Sequence, residues 1–217
     1  MPSPSFFRHA GLFLIPNFLE ASYLADLCTS MAAAPCEKAE VERADGSSVV
    51  DEAARKVEST LIPKETRRDL KQRLLSLKPR LEAHFNVTLG GCESPDFLIY
   101  GPTDFFTPHA DGGGSSGHSE GTRRRRVSAV IFLNRESADP EDGTYGEGRL
   151  KFYGLLDGAH WDKCAFSLDP EPGLLIAFPS QMVHEVTPVS HGRRFTIVTW
   201  FFAPENETIS EPARPEG

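Results

Sequence analysis

Over the first 90 residues the apolar positions recur every three or four residues, the period of a helix with one buried face. Leu19, Tyr23, Leu24 and Leu27 form one such stripe, and Asn17 ahead of it has the side chain of a helix N-cap. Leu70, Leu74, Leu77, Leu81 and Phe85 form a second, which predicts a helix over 64–85. Pro79 lies inside that stripe and has no amide to donate, so a kink or break is expected there. Between the two stripes, residues 37–60 are polar and acidic, and a single Asp45-Gly46 turn signal is all that the pattern offers.

From Asp96 onward the period shortens. Residues 97–100, 127–133, 150–153, 174–178, 182–189 and 195–202 are short apolar or alternating runs, rich in β-branched and aromatic side chains and separated by Gly, Pro, Asn and Asp. This spacing predicts a mainly β sandwich or barrel. The expected organisation is a single domain, with 1–90 as mainly helical support, 95–204 as the β core and 205–217 as a tail. Two segments interrupt the strands: 112–121, which holds five Gly and three Ser, and 135–148, which is polar and acidic. Both are expected as mobile surface loops, and the first as a lid over whatever lies beside it.

Composition narrows the function classes. With 217 residues, 39% of them hydrophobic and 15 of them Phe, the chain can bury one sizeable core. The 31 acidic residues outnumber the 23 basic ones, and a net charge of -8 argues against a nucleic-acid partner bound through phosphate neutralisation. Cys28, Cys36, Cys92 and Cys164 make neither a CxxC pair nor zinc-knuckle spacing, so they are expected as reduced thiols. There is no apolar run of about 18 residues and no basic stretch ahead of an apolar one, so neither a membrane span nor a signal peptide is expected, and the cytoplasm is the expected location.

The chemistry centres on Thr107-Pro108-His109-Ala110-Asp111. Residues two apart on a strand share a face, so His109 and Asp111 can reach one metal ion. A third ligand must come from elsewhere. His184 is the best candidate, because an unpaired imidazole inside the run Met182-Val183-His184-Glu185-Val186 is otherwise hard to bury. Two His and one carboxylate form the facial set typical of non-haem Fe(II), with three adjacent positions left open. Ten residues after His184, Arg194 opens an otherwise apolar strand and requires an anionic partner. If iron chelates the keto-acid end of 2-oxoglutarate, the distal carboxylate needs such a cation, and Thr196 on the same face could add a hydroxyl.

At these residues the sequence resembles the Fe(II)- and 2-oxoglutarate-dependent dioxygenases, and within them the prolyl-4-hydroxylase-like group. The resemblance is carried by Phe97-Leu98-Ile99-Tyr100, His109-Ala110-Asp111, residues 125–134, residues 173–179, His184-Glu185-Val186-Thr187-Pro188 and residues 194–202. It implies a double-stranded β-helix, or jelly roll, with helices packed outside. It also implies oxidative decarboxylation of 2-oxoglutarate coupled to hydroxylation of a C–H bond, with Fe(II), 2-oxoglutarate and O2 required and ascorbate (vitamin C) as an optional reductant. Carried over residue by residue, His109, Asp111 and His184 would bind iron, Arg194 would hold the distal carboxylate, Tyr100 would hydrogen-bond near the cosubstrate or substrate, and Arg125 and Trp200 would face the substrate.

Departures from the pattern bear on the substrate. Phe132 stands where the oxygen-sensing members have a tyrosine, and residues 135–148 form an acidic insertion. Residues 195–202 lack the second arginine and the asparagine of the nucleic-acid-demethylating branch. The leading expectation is a prolyl residue in a protein or peptide. A free amino acid or small natural product is the alternative, and a non-catalytic metal-binding jelly roll or a zinc hydrolase would be a different class. Arg194 in an apolar strand favours the 2-oxoglutarate enzyme over the last two. Arg123 to Arg126 are expected as a solvated charge run apart from Arg125, His118, His160 and His191 as surface residues, and Trp161 and Cys164 as packing.

Overall fold

The computed structural model describes residues 7, 10–42, 45–113, 119–155, 165–168 and 170–207. Its centre is a pair of antiparallel sheets. The larger runs, in order, Phe13–Ile15, Leu175–Pro179, Arg125–Phe132, Arg194–Phe202, Asp96–Tyr100, Glu58–Thr60 and Cys36–Lys38, with Gly91–Cys92 also paired to Arg194–Phe202. The smaller runs Phe166–Ser167, Leu150–Phe152, His184–Val186, Phe105–His109 and Arg55–Lys56. The two face each other as a jelly roll.

The central strands of the larger sheet read as continuous apolar runs because both of their faces are buried. Successive side chains point to opposite faces, so each strand divides its residues between two cores. Phe97, Ile99, Val127, Ala129, Ile131, Leu175, Ala177, Ile197 and Phe201 pack with Leu24, Leu27, Met31, Leu70, Leu74 and Leu81 from the helices. Their neighbours Leu98, Tyr100, Val130, Phe132, Ile176 and Phe178 pack with Leu150, Phe152 and Val186 of the smaller sheet. Burying each large apolar side chain contributes about 1.5–3 kcal/mol, so both cores help to hold the register.

The helical periodicity is reproduced with two changes. The first of the two expected helices is Ala21–Ala33, preceded by Glu20 rather than capped by Asn17. Asn17 instead takes φ 53° in the turn before it, a left-handed conformation that asparagine tolerates better than most residues. The long stripe is two helices, Lys64–Leu75 and Lys78–Phe85. Pro79 lies in the first turn of the second, where its missing amide leaves no ladder bond unmade, and the break falls just ahead of it.

One expectation is refined and two are corrected. The N-terminal 90 residues are more than helical support: Cys36–Lys38 and Glu58–Thr60 extend the larger sheet, Arg55–Lys56 edges the smaller one, and Val41–Glu42 pairs with Ser48–Val49. None of these exceeds three residues, too short for an alternation to be visible. The insertion 135–148 is not wholly a surface loop, because Tyr145–Glu147 pairs with Val189–Gly192 and Tyr145 is fully buried. The run 182–189 divides into His184–Val186 and the start of Val189–Gly192, with Pro188 between them. In the glycine-rich segment, Ser119 caps Glu120–Arg123 by accepting from the Thr122 amide, whereas residues 114–118, including His118, lie outside the described residues. So do His160, Trp161 and Cys164.

No helix among the described residues is long and apolar enough to cross a membrane. Leu74 is fully buried where the helices meet the larger sheet. Leu74→Ala should therefore lower the unfolding free energy by about 2–5 kcal/mol, measured by urea denaturation; a loss below about 1 kcal/mol would mean that the helices are not part of the cooperative core.

Candidate metal centre and active-site cavity

Cross-strand register assembles the site between the two sheets. His184 lies opposite His109 in the smaller sheet, and Phe152 lies opposite His184. The Phe105–His109 strand ends at His109, and Asp111 follows two residues on in a bend. Asp111 therefore reaches the centre from beyond the strand end rather than from the strand itself. One ligand atom from each of His109, Asp111 and His184 lies within 4.8 Å of the others.

The ring nitrogens show what this cluster is suited to hold. His109 Nδ1 is 2.8 Å from the Thr107 carbonyl oxygen and His184 Nδ1 is 2.9 Å from that of Met182. A carbonyl can only accept, so each Nδ1 carries the proton and each neutral ring keeps its lone pair on Nε2. Both Nε2 atoms are 3.5 Å from Asp111 carboxylate oxygens, too far for good hydrogen bonds. Two lone pairs and a carboxylate thus converge on one point, an arrangement that repels itself unless a cation sits among them. Backbone bonds that fix the tautomer in this way are characteristic of metal-ligating histidines.

Charge states agree with that fit. Burial pushes His184 down to about 4, with the Asp111 charge opposing, so its imidazole is neutral at pH 7. Burial also works against ionising Asp111, but either histidine, whenever it carries a proton on Nε2, and the Ser128 hydroxyl outweigh it and hold the carboxyl below its usual range. Ser128 donates to Asp111 Oδ2 at 2.7 Å and lies 3.0 Å from the Ser180 hydroxyl. Aromatic rings pack around the histidines. Phe106 stacks on His109 with centroids 3.4 Å apart, and Phe178 meets His184 edge-on at 4.8 Å.

Alternation along Arg194–Phe202 sends Arg194, Thr196, Val198 and Trp200 into the same cavity, which has about 460 Å³ of open space including its mouth. Arg194 is only 1% exposed. Its guanidinium lies over the rings of Tyr100 and Phe132, at 5.0 and 5.3 Å, and Nη1 donates to Thr196 Oγ1 at 3.4 Å. Among the described residues no carboxylate pairs with it, and Nε is buried without a hydrogen-bond partner. An enclosed cation without a counter-charge is costly, so this end of the cavity is suited to an anion. Tyr100 lines the same wall, its phenol pushed up by burial. Apolar Leu98, Val130, Leu150, Val186 and Val198 form the rest.

Arg125 and Trp200 also come together, but not as two free contacts. Arg125 Nε and Nη2 donate to the two Glu93 carboxylate oxygens at 2.7 and 2.8 Å, while its guanidinium lies 3.8 Å from the centroid of the Trp200 ring. The cation is thus already neutralised and braces the indole, whose Nε1 is buried without a partner at the cavity wall. Arg124 turns to the carbonyls of Ala203 and Pro204, and Arg126 pairs with Glu207. His191 lies apart from the centre, sharing a hydrogen bond with Ser190. Sequence reasoning missed Ser128, Ser180, Glu93, Phe106 and Arg55. Of these only Ser128 carried a signal, as a hydroxyl within a strand otherwise buried and apolar.

A family model described as the 2OG-Fe(II) oxygenase superfamily matches residues 95–202, which include His109, Asp111, His184, Arg194, Tyr100, Arg125 and Trp200. A PKHD-type hydroxylase of Klebsiella pneumoniae is 28% identical over 203 residues, covering 87% of this chain and 77% of its own length. Among solved structures, a Pseudomonas putida prolyl-4-hydroxylase superposes with a TM-score of 0.64 at 24% identity, covering 89% of this chain and 92% of that one. A Trichoplax adhaerens prolyl hydroxylase, solved with a hypoxia inducible factor peptide fragment, gives 0.64 at 20% identity, covering 91% and 86%. At these identities the structures establish a shared fold.

If Ser128 orients the Asp111 carboxylate, Ser128→Ala should weaken divalent-metal affinity by roughly tenfold or more with little change in melting temperature, in line with the 10–100-fold cost of losing such outer partners. Titration of the metal-free protein with Fe(II) or Mn(II) gives the affinity. An unchanged value would leave Ser128 with a packing role only.

Proposed function

Because the chain belongs to the 2OG-Fe(II) oxygenase superfamily and is an Fe(II)- and 2-oxoglutarate-dependent hydroxylase, we propose that its target is a C–H bond of a prolyl side chain in a protein or peptide. His109, Asp111 and His184 hold the iron, Arg194 with Thr196 holds the distal carboxylate of 2-oxoglutarate, and Tyr100 adds a hydroxyl near the cosubstrate. Bound together, iron and 2-oxoglutarate couple the cleavage of the keto acid to succinate and CO2 with the transfer of one oxygen atom from O2 to the substrate. The observation that carries this reading is the unpaired, buried Arg194 in the same cavity as the three-ligand cluster. A structural or hydrolytic metal would have no use for that cation.

The protein's own contribution is placement and exclusion. The histidine tautomers are set by the Thr107 and Met182 carbonyls, so the ligand nitrogens are ready before metal arrives. The apolar wall of Leu98, Val130, Leu150, Val186 and Val198 displaces water and suits the methylenes of a pyrrolidine ring. Trp200 Nε1, braced by Arg125 and Glu93, offers a donor to a backbone carbonyl of the substrate. The prolyl target is supported by the neighbours whose fold is shared, a prolyl-4-hydroxylase and a prolyl hydroxylase solved with a peptide. Ascorbate as a reductant belongs to the same proposal and is tested by leaving it out of the assay.

His109→Ala, Asp111→Ala and His184→Ala should each lose iron and succinate release while the fold persists, as read by elemental analysis, a succinate assay and circular dichroism. Arg194→Lys keeps the charge but gives up the planar two-pronged contact, so the 2-oxoglutarate KM should rise at least about tenfold. Full turnover in any of the three alanine variants would remove that residue from the metal set, and an unchanged KM would remove Arg194 from the cosubstrate site. The prolyl target is checked by a mass increase of one oxygen on prolyl peptides; hydroxylation confined to non-prolyl compounds would overturn it.

A further inference from the structure

The cavity holds a second arginine that the cosubstrate does not use. Arg55 lies on Arg55–Lys56, the edge strand of the smaller sheet, directly opposite Phe106 in the register. Its guanidinium carbon is 4.9 Å from the centroid of the Phe106 ring, the same ring that stacks on His109. Arg55 and Arg194 line one cavity from opposite sheets. In the reading above, 2-oxoglutarate has one carboxylate at the metal and the other at Arg194, so nothing in the cosubstrate neutralises Arg55.

The hydrogen bonds of Arg55 show which edge is free. Nη1 donates to the Glu40 carbonyl oxygen at 2.9 Å, which anchors the side chain through a neutral acceptor. Among the described residues, Nη2 makes no hydrogen bond, Nε is buried without a partner, and no carboxylate forms an ion pair with the group. Nε–H and Nη2–H together form the side-on edge of a guanidinium, the edge that a carboxylate grips with both oxygens. Asp96 feels the Arg55 charge but makes no ion pair with it. The guanidinium lies over the Phe106 ring, so the cation is backed by an aromatic surface rather than by a counter-charge.

We propose that Arg55 reads the charge of the substrate, taking a carboxylate carried by the molecule that is hydroxylated. The inference rests on the hydroxylase reading of this cavity and deepens it by naming a substrate class, an acidic one. The carboxylate has two possible sources: the substrate's own α-carboxylate, as in a free or C-terminal proline, or an acidic side chain next to the target proline.

The experiment is equilibrium binding by calorimetry to the protein loaded with Fe(II) and 2-oxoglutarate without oxygen. The probes are N-acetyl-proline against N-acetyl-prolinamide, the blocked dipeptide Pro-Asp against Pro-Asn, and N-acetyl-valine against its amide. At least one acid should bind about tenfold or more tightly than its neutral partner. That preference should vanish in Arg55→Gln and shrink in Arg55→Lys, which keeps the charge without the side-on edge. Melting temperature and 2-oxoglutarate binding, which depends on Arg194, report that the variants are folded. The first pair isolates an α-carboxylate and the second an acidic neighbour. Equal affinity of every acid and its amide in the unmodified protein, or a preference that survives Arg55→Gln, overturns the inference. If the prolyl probes bind but each acid and its neutral partner bind alike in both proteins, Arg55 loses this role and the prolyl reading stands. If only the valine pair shows an Arg55-dependent preference, the prolyl reading fails and the role of Arg55 stands.

Discussion

A strand buried on both faces must divide its side chains between two cores, and here that division creates the site. Arg194–Phe202 gives Ile197 and Phe201 to the helices, and Arg194, Thr196, Val198 and Trp200 to the cavity. Its neighbours obey the same parity, so Tyr100 stands opposite Arg194 and Ser128 opposite Trp200. A slip by one residue would drive the guanidinium into the helix-facing core and pull Ile197 out of it, exchanging every partner at once. The large cost of that exchange fixes the Arg194 cation as firmly as any contact it makes. Leu70, Leu74 and Leu81, remote from the metal, are therefore part of what keeps Arg194 in place.

The smaller sheet solves a different problem. It must hold two imidazoles and a carboxylate close together although their lone pairs repel. It does so with bonds made elsewhere on each side chain: Nδ1 of both histidines to backbone carbonyls, and Asp111 to Ser128 of the opposite sheet. Phe106 and Phe178 then fill the space around the rings. The repulsion that these restraints contain would be released by a cation among them, so the ordering is accomplished in folding and a metal would meet a prepared site.

What was legible in the sequence follows from these two constraints. His184 and Arg194 could be singled out because each is a polar residue in a segment that otherwise reads as buried strand, where its presence needs a reason, and His109 with Asp111 because their two-residue spacing suits one metal ion. The strands themselves were visible for the same cause, six apolar runs with turn residues between them. Phe106 and Glu93 carried no such contrast. An aromatic in a strand is ordinary, and a glutamate in a polar stretch is ordinary too, so their roles depend on what folding places beside them, His109 for one and Arg125 for the other. Residues 36–60 were illegible because strands of two or three residues offer no period to detect, and their pairing is imposed by the sheets they join. Arg55 was hidden with them. Tyr145 was hidden by the acidic residues around it, and Asn17 misled because the residue that suits an N-cap suits a left-handed turn equally well.

The charge of the cavity runs opposite to that of the chain. Overall the protein carries -8, yet the side chains lining the cavity include two arginines against the single carboxylate of Asp111, before any metal is counted. A divalent cation adds to that excess, and 2-oxoglutarate, with two negative charges, offsets only part of it. At physiological ionic strength the field of the distant surface acidic groups is screened beyond about 8 Å, so they do little to repel an anion that has reached the mouth. Inside, where low-polarity walls such as Leu98, Val130 and Val186 surround the charges, the same interactions are screened far less. Selection for anions is therefore made within the cavity rather than at the surface. Placing Arg194 and Arg55 on opposite sheets of one cavity allows two different anions to be held at once, each with its own guanidinium.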